Sequence, residues 1–280
     1  MTDAPPARPR RRPKSTTVLE TERLGPHLIR IVVGGPELEG FGAGEFTDHY
    51  VKLQIPPPGA EYRAPFDADE IKERYPREQW PKVRTYTVRD WDPDGLRLTL
   101  DFVYHGDEGV AGPWAAAARP GDVLHLMGPG GAYAPSPDAD WHLLVGDLAV
   151  IPAIAASLER IPAGVPVHVI IEVPSPEDEV ELQTPGDLRL TWLHGDGTGD
   201  TLPPAVRDLE FPEGDVHAFV HGEATVVRDI RRHLVVERGI PKEALSASGY
   251  WKRGRDDEGW RAEKAEFNRQ ADAELETAPS

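Results

Sequence analysis

Residues 84–89 read Arg-Thr-Tyr-Thr-Val-Arg, an alternating pattern that predicts a β-strand. Side chains of a strand point alternately to its two faces, so Arg84, Tyr86 and Val88 share one face. Tyr86 offers a flat ring for stacking, Arg84 offers a cation for a pyrophosphate, and Thr87 offers polar groups near the strand end. This combination is typical of a flavin site. An ordinary amphipathic strand with exposed arginines would have the same pattern.

A second segment, residues 105–114, reads His-Gly-Asp-Glu-Gly-Val-Ala-Gly-Pro-Trp. It follows the strand-like residues 98–104 and opens the helix-like residues 114–119. Gly109 and Gly112 let the backbone approach a ligand closely, and free N–H groups at a helix start can bind a pyrophosphate. The segment therefore predicts a phosphate cradle. The alternative is a glycine-rich turn that only caps a helix.

Composition limits the functions that the chain can have. Its 280 residues are enough for two compact domains. A net charge of −17 and a pI near 5.0 argue against a nucleic-acid partner, because phosphate neutralisation needs a concentrated basic face. The chain has no Cys, which excludes disulfides, thiol catalysis and Cys-ligated clusters. Redox chemistry would therefore require a bound cofactor.

The N-terminal sequence bears on location. The basic stretch at residues 8–14 is followed by Ser-Thr-Thr rather than by an apolar segment. Since no run of about 18 apolar residues occurs, we expect no stable membrane insertion and a cytoplasmic protein. Residues 1–15 are predicted to be a disordered tail.

The first half of the chain has the pattern of an antiparallel β-barrel over residues 16–130. The turn signal Asp-Pro-Asp-Gly at residues 92–95 predicts a hairpin. Residues 56–81 are rich in Pro, Asp and Glu and are expected to form a surface excursion. The predicted strands are residues 27–33, 49–55, 83–89, 96–104 and 122–127.

The Gly/Pro-dense residues 128–140 mark the domain boundary, with residues 131–140 as the linker. Residues 141–253 then read as an α/β domain with a parallel sheet. The predicted strands are residues 141–145, 165–173, 188–193 and 216–221. One predicted helix covers residues 151–160, and a second follows the last strand and ends at residue 238. Residues 254–280 are predicted to form a C-terminal helix and tail.

Ligands of parallel sheets bind at the carboxyl ends of strands, which nominates Gly146-Asp147 and Gly222-Glu223 for a nicotinamide cofactor. The glycine fingerprint of tight dinucleotide sites is missing, and ordinary strand-to-helix turns explain both pairs equally well. Residues 248–255, Ser-Gly-Tyr-Trp-Lys-Arg-Gly-Arg, group two aromatic side chains with three cations. They predict either a site for an anionic or aromatic partner or an exposed basic turn with Tyr250 and Trp251 packed in the core.

Five motifs in this order resemble the siderophore-interacting protein family over roughly residues 15–267. They are residues 84–89, residues 105–114, Gly146-Asp147 with Pro152-Ala-Ile154, His221-Gly-Glu223 and residues 248–254. These are FAD-dependent ferric-siderophore reductases related to the ferredoxin-NADP reductase superfamily. The resemblance implies a β + α/β architecture, in which a six-stranded antiparallel FAD-binding β-barrel precedes a parallel-sheet α/β domain that binds a nicotinamide.

The resemblance also implies a reaction and its cofactors. NADH, NADPH or a reduced ferredoxin would reduce FAD, and the electrons would pass singly to the Fe(III) of a ferric siderophore. No acid-base residue is obligatory and no metal ligand is expected. The protein would act as a monomer. The implied cofactor-binding residues are Arg84, Tyr86, Thr87, Val88, Asp101, Val103, His105, Gly109, Val110, Ala111, Gly112, Trp114, Gly146, Asp147, Ala149, Gly222, Glu223 and Trp251.

An anionic ferric chelate needs local cations on this acidic chain, and the candidates are Lys52, Lys252 and Arg253. Two departures from the family pattern stand out. Leu148 and Ala149 follow Gly-Asp where the family usually has a polar residue and then Thr or Ser, so a hydroxyl is missing. Gly130 stands where many relatives have an Arg. The first departure motivates the alternative of a flavin-containing siderophore-binding or electron-relay protein that does not use NAD(P)H directly. A flavin reductase acting on an organic acceptor is a third possibility.

Overall fold

The computed structural model describes residues 13–277, which form a closed antiparallel barrel of six strands followed by a parallel sheet of five. The barrel order is β1-β2-β5-β4-β3-β6, which confirms the predicted six-stranded barrel. All five strands named from the sequence are present. The barrel strands are β1 Lys14–Gly25, β2 Leu28–Gly34, β3 Tyr50–Ile55, β4 Lys82–Asp92, β5 Arg97–Val103 and β6 Val123–Gly130.

The first strand, β1, was not named among the predicted strands. Its inward residue Val18 is fully buried, whereas the adjacent Leu19 points outward with 39% of its surface exposed, which obscures the alternation in the sequence. Because β1 begins at Lys14, the last two residues of the predicted tail belong to the barrel. Residues 1–12 of that tail lie outside the described residues.

At one end of the barrel β4 and β5 are not paired with each other, and this end is called the opening between β4 and β5. Their ladder covers Asp92↔Arg97 to Val88↔Leu100, so residues 82–87 are paired with β3 alone. Asp92 accepts from the N–H groups of Asp94 and Gly95 at 3.0 and 2.9 Å, forming the predicted hairpin turn. Two short helices accompany the barrel: α1 Ala68–Arg74, within the predicted excursion, and α2 Ala111–Ala117, after β5.

The second sheet has the order β11-β10-β7-β8-β9 and all its pairs are parallel, which confirms the α/β prediction. Its strands are β7 Trp141–Asp147, β8 Pro166–Val173, β9 Asp187–His194, β10 Val216–Glu223 and β11 Leu245–Trp251. The helices are α3 Ile151–Leu158, α4 Leu202–Asp208, α5 Ala224–Arg232 and α6 Asp257–Thr277, and a π-helical turn at His233–Glu237 extends α5.

The edge strand β11 was not predicted, because its small residues lack a strand pattern. Those small residues serve packing: a Cβ on Gly249 would lie 2.7 Å from the Ala224 Cβ of α5. The long helix α6 covers this region, burying Trp260 and forming ion pairs from Glu274 and Asp272 to Arg228 and Arg231 of α5. The C-terminal helix is therefore part of the α/β domain's packing.

Side chains join the two domains directly. Thr47 and Ser157 share a hydrogen bond of 2.8 Å, and Arg89 of β4 donates to Glu159 at 2.6 Å. On the far side, the fully buried Asp178 accepts from the backbone N–H of His27 at 3.0 Å. These contacts therefore fix the positions of the candidate site residues on the barrel relative to those on the parallel sheet.

Candidate functional site

The opening between β4 and β5 is lined by aromatic side chains. The Tyr86 ring lies 4.3 Å from the Phe102 ring, and Phe102 lies 5.6 Å from Trp114 of α2, centroid to centroid. Burial raises the pKa of Tyr86, so its hydroxyl stays protonated and can donate a hydrogen bond. Tyr86 and Trp114 are partly exposed and pack on the fully buried Phe102, so these two rings give the opening an apolar wall.

Arg84 places a cation at the entrance. Its Nη1 donates to the Val83 carbonyl at 2.9 Å and lies 3.8 Å from Oδ2 of Asp257, in the first turn of α6. The neighbouring Lys82 pairs with Glu258 at 3.2 Å. Sequence analysis did not connect Asp257 with this site, since acidic residues are common in the first turn of any helix. The C-terminal helix thus reaches the opening in the barrel.

The glycine-rich segment lies at the carboxyl end of β5. Gly109 has φ +78°, in the left-handed region that favours glycine. A Cβ on Gly112 would lie 3.1 Å from the Val103 carbonyl oxygen, so glycine lets α2 begin directly against the strand end. Val110 precedes the helix and gives it no side-chain cap, and Ala111 is buried in its first turn. Backbone N–H groups therefore remain at the start of α2 for an anion.

Two other residues near the opening have partners of their own. Asp101 accepts two hydrogen bonds from the Arg30 guanidinium, at 2.7 and 2.8 Å, which join β5 to β2. His105 follows β5, and burial, with a smaller contribution from the nearby His27, lowers its pKa and keeps its imidazole neutral. The roles of Asp101 and His105 toward a cofactor stay predictions.

Thr87 and Val88 lie where the domains meet. Val88 is buried and donates its N–H to the His49 carbonyl at 2.6 Å. Thr87 is also buried, and its side chain lies beside the Tyr250 hydroxyl of β11. The sequence offered packing in the core as one role for Tyr250. Its contact with Thr87 connects the two domains beside the opening.

These residues fit FAD. The opening presents a ring that can stack on a flavin, and it presents a cation and a glycine-rich loop with backbone donors that can bind a pyrophosphate.

At the carboxyl edge of the parallel sheet, Asp147 is the central residue. It accepts from the N–H of Ala149 at 3.0 Å, from the N–H of Glu223 at 2.9 Å and from the Trp251 indole at 2.8 Å. A Cβ on Gly222, where φ is +135°, would lie 2.5 Å from its Oδ2. Burial raises the pKa of Asp147 to about 6, against the effect of the three donors.

Glu223 and Gly146 also serve the local backbone. Glu223 caps α5 by accepting from the N–H groups of Thr225 and Val226, at 2.6 and 2.9 Å, and it accepts from the Arg253 N–H at 3.1 Å. A Cβ on Gly146 would lie 2.6 Å from the Val150 Cβ, so glycine allows the turn after β7 to fold back closely. The structure brings the nominated edge residues together, but it engages their carboxylates internally.

A third carboxylate at this edge was missed by sequence analysis. Glu172, at the end of β8, is fully buried and accepts from the N–H of Gly199 at 2.7 Å and from the N–H and hydroxyl of Thr201 at 2.9 and 2.5 Å. An acidic residue within an apolar run is a signal that could have identified it. Glu172 holds the loop after β9 across the sheet edge.

The three candidate substrate cations do not form one cluster of free charges. Lys252 pairs with Glu263 at 3.4 Å and lies over the Phe267 ring at 4.9 Å, while Arg253 pairs with Asp200 at 2.9 Å. Lys52 is exposed on β3 and has no hydrogen-bond or ion-pair partner among residues 13–277. Of the three, Lys52 has the charge most available to an anionic ligand.

Neither a membrane-spanning helix nor a cluster of metal ligands occurs within residues 13–277. None of the helices in this part of the chain combines the length and apolar composition that crossing a membrane requires. The His, Asp and Glu side chains of the same residues include no group of three or more that could hold a metal ion.

Comparison with known families gives matches over both domains. The siderophore-interacting FAD-binding domain matches residues 17–133, and the siderophore-interacting protein family matches residues 139–254. The first match contains the whole opening between β4 and β5. The second contains the sheet edge with Asp147 and Glu223.

Individual relatives match over most of their length. An uncharacterised protein of Mycobacterium tuberculosis is 41% identical, covering 93% of this chain and 96% of its own. The ferric vibriobactin reductase ViuB of Vibrio cholerae is 32% identical, covering 90% and 94%. The crystal structure of the siderophore-interacting protein SipS from Aeromonas hydrophila superposes with a TM-score of 0.77 at 30% identity, covering 92% and 98%.

Proposed function

Because this chain belongs to the siderophore-interacting protein family, we propose that it reduces ferric siderophores through a bound FAD and releases Fe(II) in the cytoplasm. Its two-domain fold is that of the ferredoxin-NADP reductase superfamily, and it is a siderophore-related, flavin-dependent oxidoreductase. NADH or NADPH is the proposed electron donor, with a reduced ferredoxin as the other source. The ferric siderophore is the proposed electron acceptor.

The opening between β4 and β5 is the observation that carries this proposal. Tyr86 would stack against the flavin, Arg84 would meet the pyrophosphate, and the backbone from Gly109 to Gly112 would hold the phosphates, with Trp114 beside them. Val103 and His105 would lie against the ribose region. All these residues fall within the match to the FAD-binding family domain.

A bound FAD would supply the redox chemistry, since a flavin can take up electrons in pairs or singly and can pass them singly to Fe(III). The protein's own part is positioning. Thr87 of the barrel packs beside Tyr250 of the α/β domain, and the hydrogen bond from the Trp251 indole to Asp147 at 2.8 Å holds that indole in place next to Tyr250. Lys52, on the adjacent strand β3, offers a positive charge to an anionic chelate. Iron release follows because oxygen-donor chelators bind Fe(II) weakly.

Anaerobic absorbance spectra test the proposal. Purified protein loaded with FAD should show flavin bands that bleach with NADH, NADPH or a reduced ferredoxin and return when a ferric siderophore is added, while an Fe(II) trap develops colour. A flavin-loaded protein whose reduced form is never reoxidised faster than free reduced flavin would disprove the reductase activity.

A second candidate function is an electron-relay or siderophore-binding flavoprotein that does not use NAD(P)H. It is favoured by the sheet edge, where Asp147, Glu223 and Glu172 are all engaged by backbone N–H groups and Ala149 offers no hydroxyl. Stopped-flow mixing separates the two functions. Rapid bleaching by NADH or NADPH supports the nucleotide-dependent reductase, whereas bleaching only by a protein donor supports the relay.

A further inference from the structure

A large aromatic side chain, Tyr50, is exposed on the strand next to Thr87. Tyr50 and Leu19, each 39% exposed, are the exposed large hydrophobic residues of the described chain. Leu19 lies on β1, where it packs near Gly34. Tyr50 begins β3 and pairs with Thr87 of β4 on one side and with Gly130 of β6 on the other. Paired residues of neighbouring strands point to the same face, so the Tyr50 and Thr87 side chains share one face of the barrel.

The place of the ring depends on Gly130. A Cβ built on Gly130 would lie 2.6 Å from the Tyr50 hydroxyl oxygen and 2.8 Å from its Cε1. The ring therefore lies directly over the Gly130 backbone and fills the space that any side chain at position 130 would enter. Gly130 is absent from the residues with positive φ, so its backbone does not itself require glycine. The close approach of the Tyr50 ring requires it.

A cation lies on the same face of the same strand. Lys52 follows Tyr50 by two residues, so both side chains project from one side of β3. Lys52 pairs with the exposed Thr85 of β4 and has no charged partner among residues 13–277. An exposed ring next to an unpaired ammonium group is suited to a ligand that is both aromatic and anionic. The overall charge of −17 makes such a local cation more important for an anion.

We propose that Tyr50 is a specificity-determining residue that stacks on the aryl arms of an anionic ferric chelate, and so favours catecholate over hydroxamate siderophores. The proposal rests on the proposed function, since it names the substrate class of that reaction. Catecholate arms are benzene rings that carry the iron-binding oxygens, whereas hydroxamate arms have no ring to stack. Gly130 is the positioning residue in this arrangement, because its lack of a side chain leaves the space that the Tyr50 ring occupies.

Gallium complexes test binding apart from electron transfer, because Ga(III) resembles Fe(III) in size and charge but is not reduced by flavins. The probes are Ga(III)-enterobactin, a tris-catecholate, and Ga(III)-desferrioxamine B, a tris-hydroxamate, titrated into the FAD-loaded protein. We expect Tyr50→Ala to weaken the catecholate about tenfold and the hydroxamate less than about twofold. Tyr50→Phe should keep the preference. Gly130→Ala should reduce it, since the added Cβ displaces the ring.

Leu19→Ala is the matched control, because it removes the other exposed apolar side chain and should leave both affinities unchanged. Equal losses for both chelates in Tyr50→Ala, or a wild-type preference for the hydroxamate, would overturn the proposal. FAD content and thermal melting establish that each variant is folded.

Reoxidation of the photoreduced protein by the two ferric chelates separates this proposal from the reductase activity. Reoxidation that is equally fast with both chelates and does not depend on Tyr50 keeps the function and refutes the specificity. Gallium binding that depends on Tyr50, without any reoxidation by a ferric chelate, keeps the recognition and refutes the function.

Discussion

The opening in the barrel and the carboxyl edge of the sheet both collect residues that the sequence nominates for cofactor contact, but the two regions engage them differently. At the sheet edge, Asp147 and Glu223 each accept three hydrogen bonds from within the protein. In the opening, Tyr86 packs only through its ring, and Arg84 has a carboxylate at 3.8 Å. A polar group at the right place in a fold is therefore available to a ligand only if the backbone does not already engage it.

This contrast predicts two kinds of variant. Substitutions at the sheet edge should lower the free energy of unfolding and leave FAD affinity unchanged. Substitutions that remove a contact to the flavin in the opening should weaken FAD, whatever loss of packing accompanies them.

The largest effect is expected for Glu172→Ala. Two backbone N–H groups and the Thr201 hydroxyl would lose their acceptor in a buried site, lowering the free energy of unfolding by about 3 kcal/mol. Urea unfolding measures it, with the exposed Glu181→Ala as the matched control, expected to change by less than about 0.5 kcal/mol. A stable variant that fails to bind FAD would show that the sheet edge contributes directly to the flavin site.

Asp147 should make stability depend on pH. Its folded-state pKa of about 6 lies above the ordinary value of about 3.9. The folded state favours the protonated carboxyl, so the contribution of Asp147 to the free energy of unfolding is fully present below about pH 4. It is lost as the pH rises through about 6, a change of up to about 3 kcal/mol. The difference in unfolding free energy between wild type and Asp147→Asn, which cannot titrate, should fall over this range. A constant difference from pH 4.5 to 7 would contradict it.

Tyr86→Ala tests the opening. Loss of the stacking ring should raise the dissociation constant for FAD about tenfold, which corresponds to about 1.4 kcal/mol. Tyr86→Phe keeps the ring and should change the constant by less than about threefold. Fluorescence titration of the flavin-free protein measures both variants, and unchanged affinity in the Ala variant would refute the stacking role.

The smallest effect is expected where the two regions meet, at Asp257. Its carboxylate lies 3.8 Å from Arg84, so Asp257→Asn should leave the guanidinium more available to a pyrophosphate. FAD should bind about twofold to threefold more tightly at low salt, and the gain should shrink at high salt, as for other partly exposed ion pairs. Glu258→Gln, which alters the neighbouring pair with Lys82, is the matched control. A gain that is independent of salt would point to a change in packing instead.

Local pattern was sufficient for much of the fold. Alternation identified β4, the Asp-Pro-Asp-Gly signal identified the hairpin to β5, and buried apolar runs identified β7, β8 and β10. Pattern failed for β1, where outward Leu19 hides the alternation, and for β11, whose small residues are selected by the helices packed on it. It also missed α4, which begins at Leu202 and has consecutive prolines at positions 203 and 204 in its first turn.

For the site, the sequence identified residue types and missed their partners. It nominated Asp147 and Glu223 from their places after strands, but their engagement by backbone N–H groups depends on how the turns after β7 and β10 fold. It nominated Lys252 and Arg253 as substrate cations, and the structure gives each a carboxylate partner, from Glu263 and Asp200.

The sequence by itself determined the two-domain order, the strand that presents Arg84 and Tyr86, and the glycine-rich loop that follows β5. These features are encoded by neighbours in the chain, through alternation, turn residues and helix starts. Only the tertiary structure decided that Thr87 meets Tyr250, that Asp257 reaches Arg84 and that Tyr50 covers Gly130. Each of these contacts joins segments far apart in the chain, so it is set by the closure of the barrel and by the docking of β11 and α6, which no local pattern specifies.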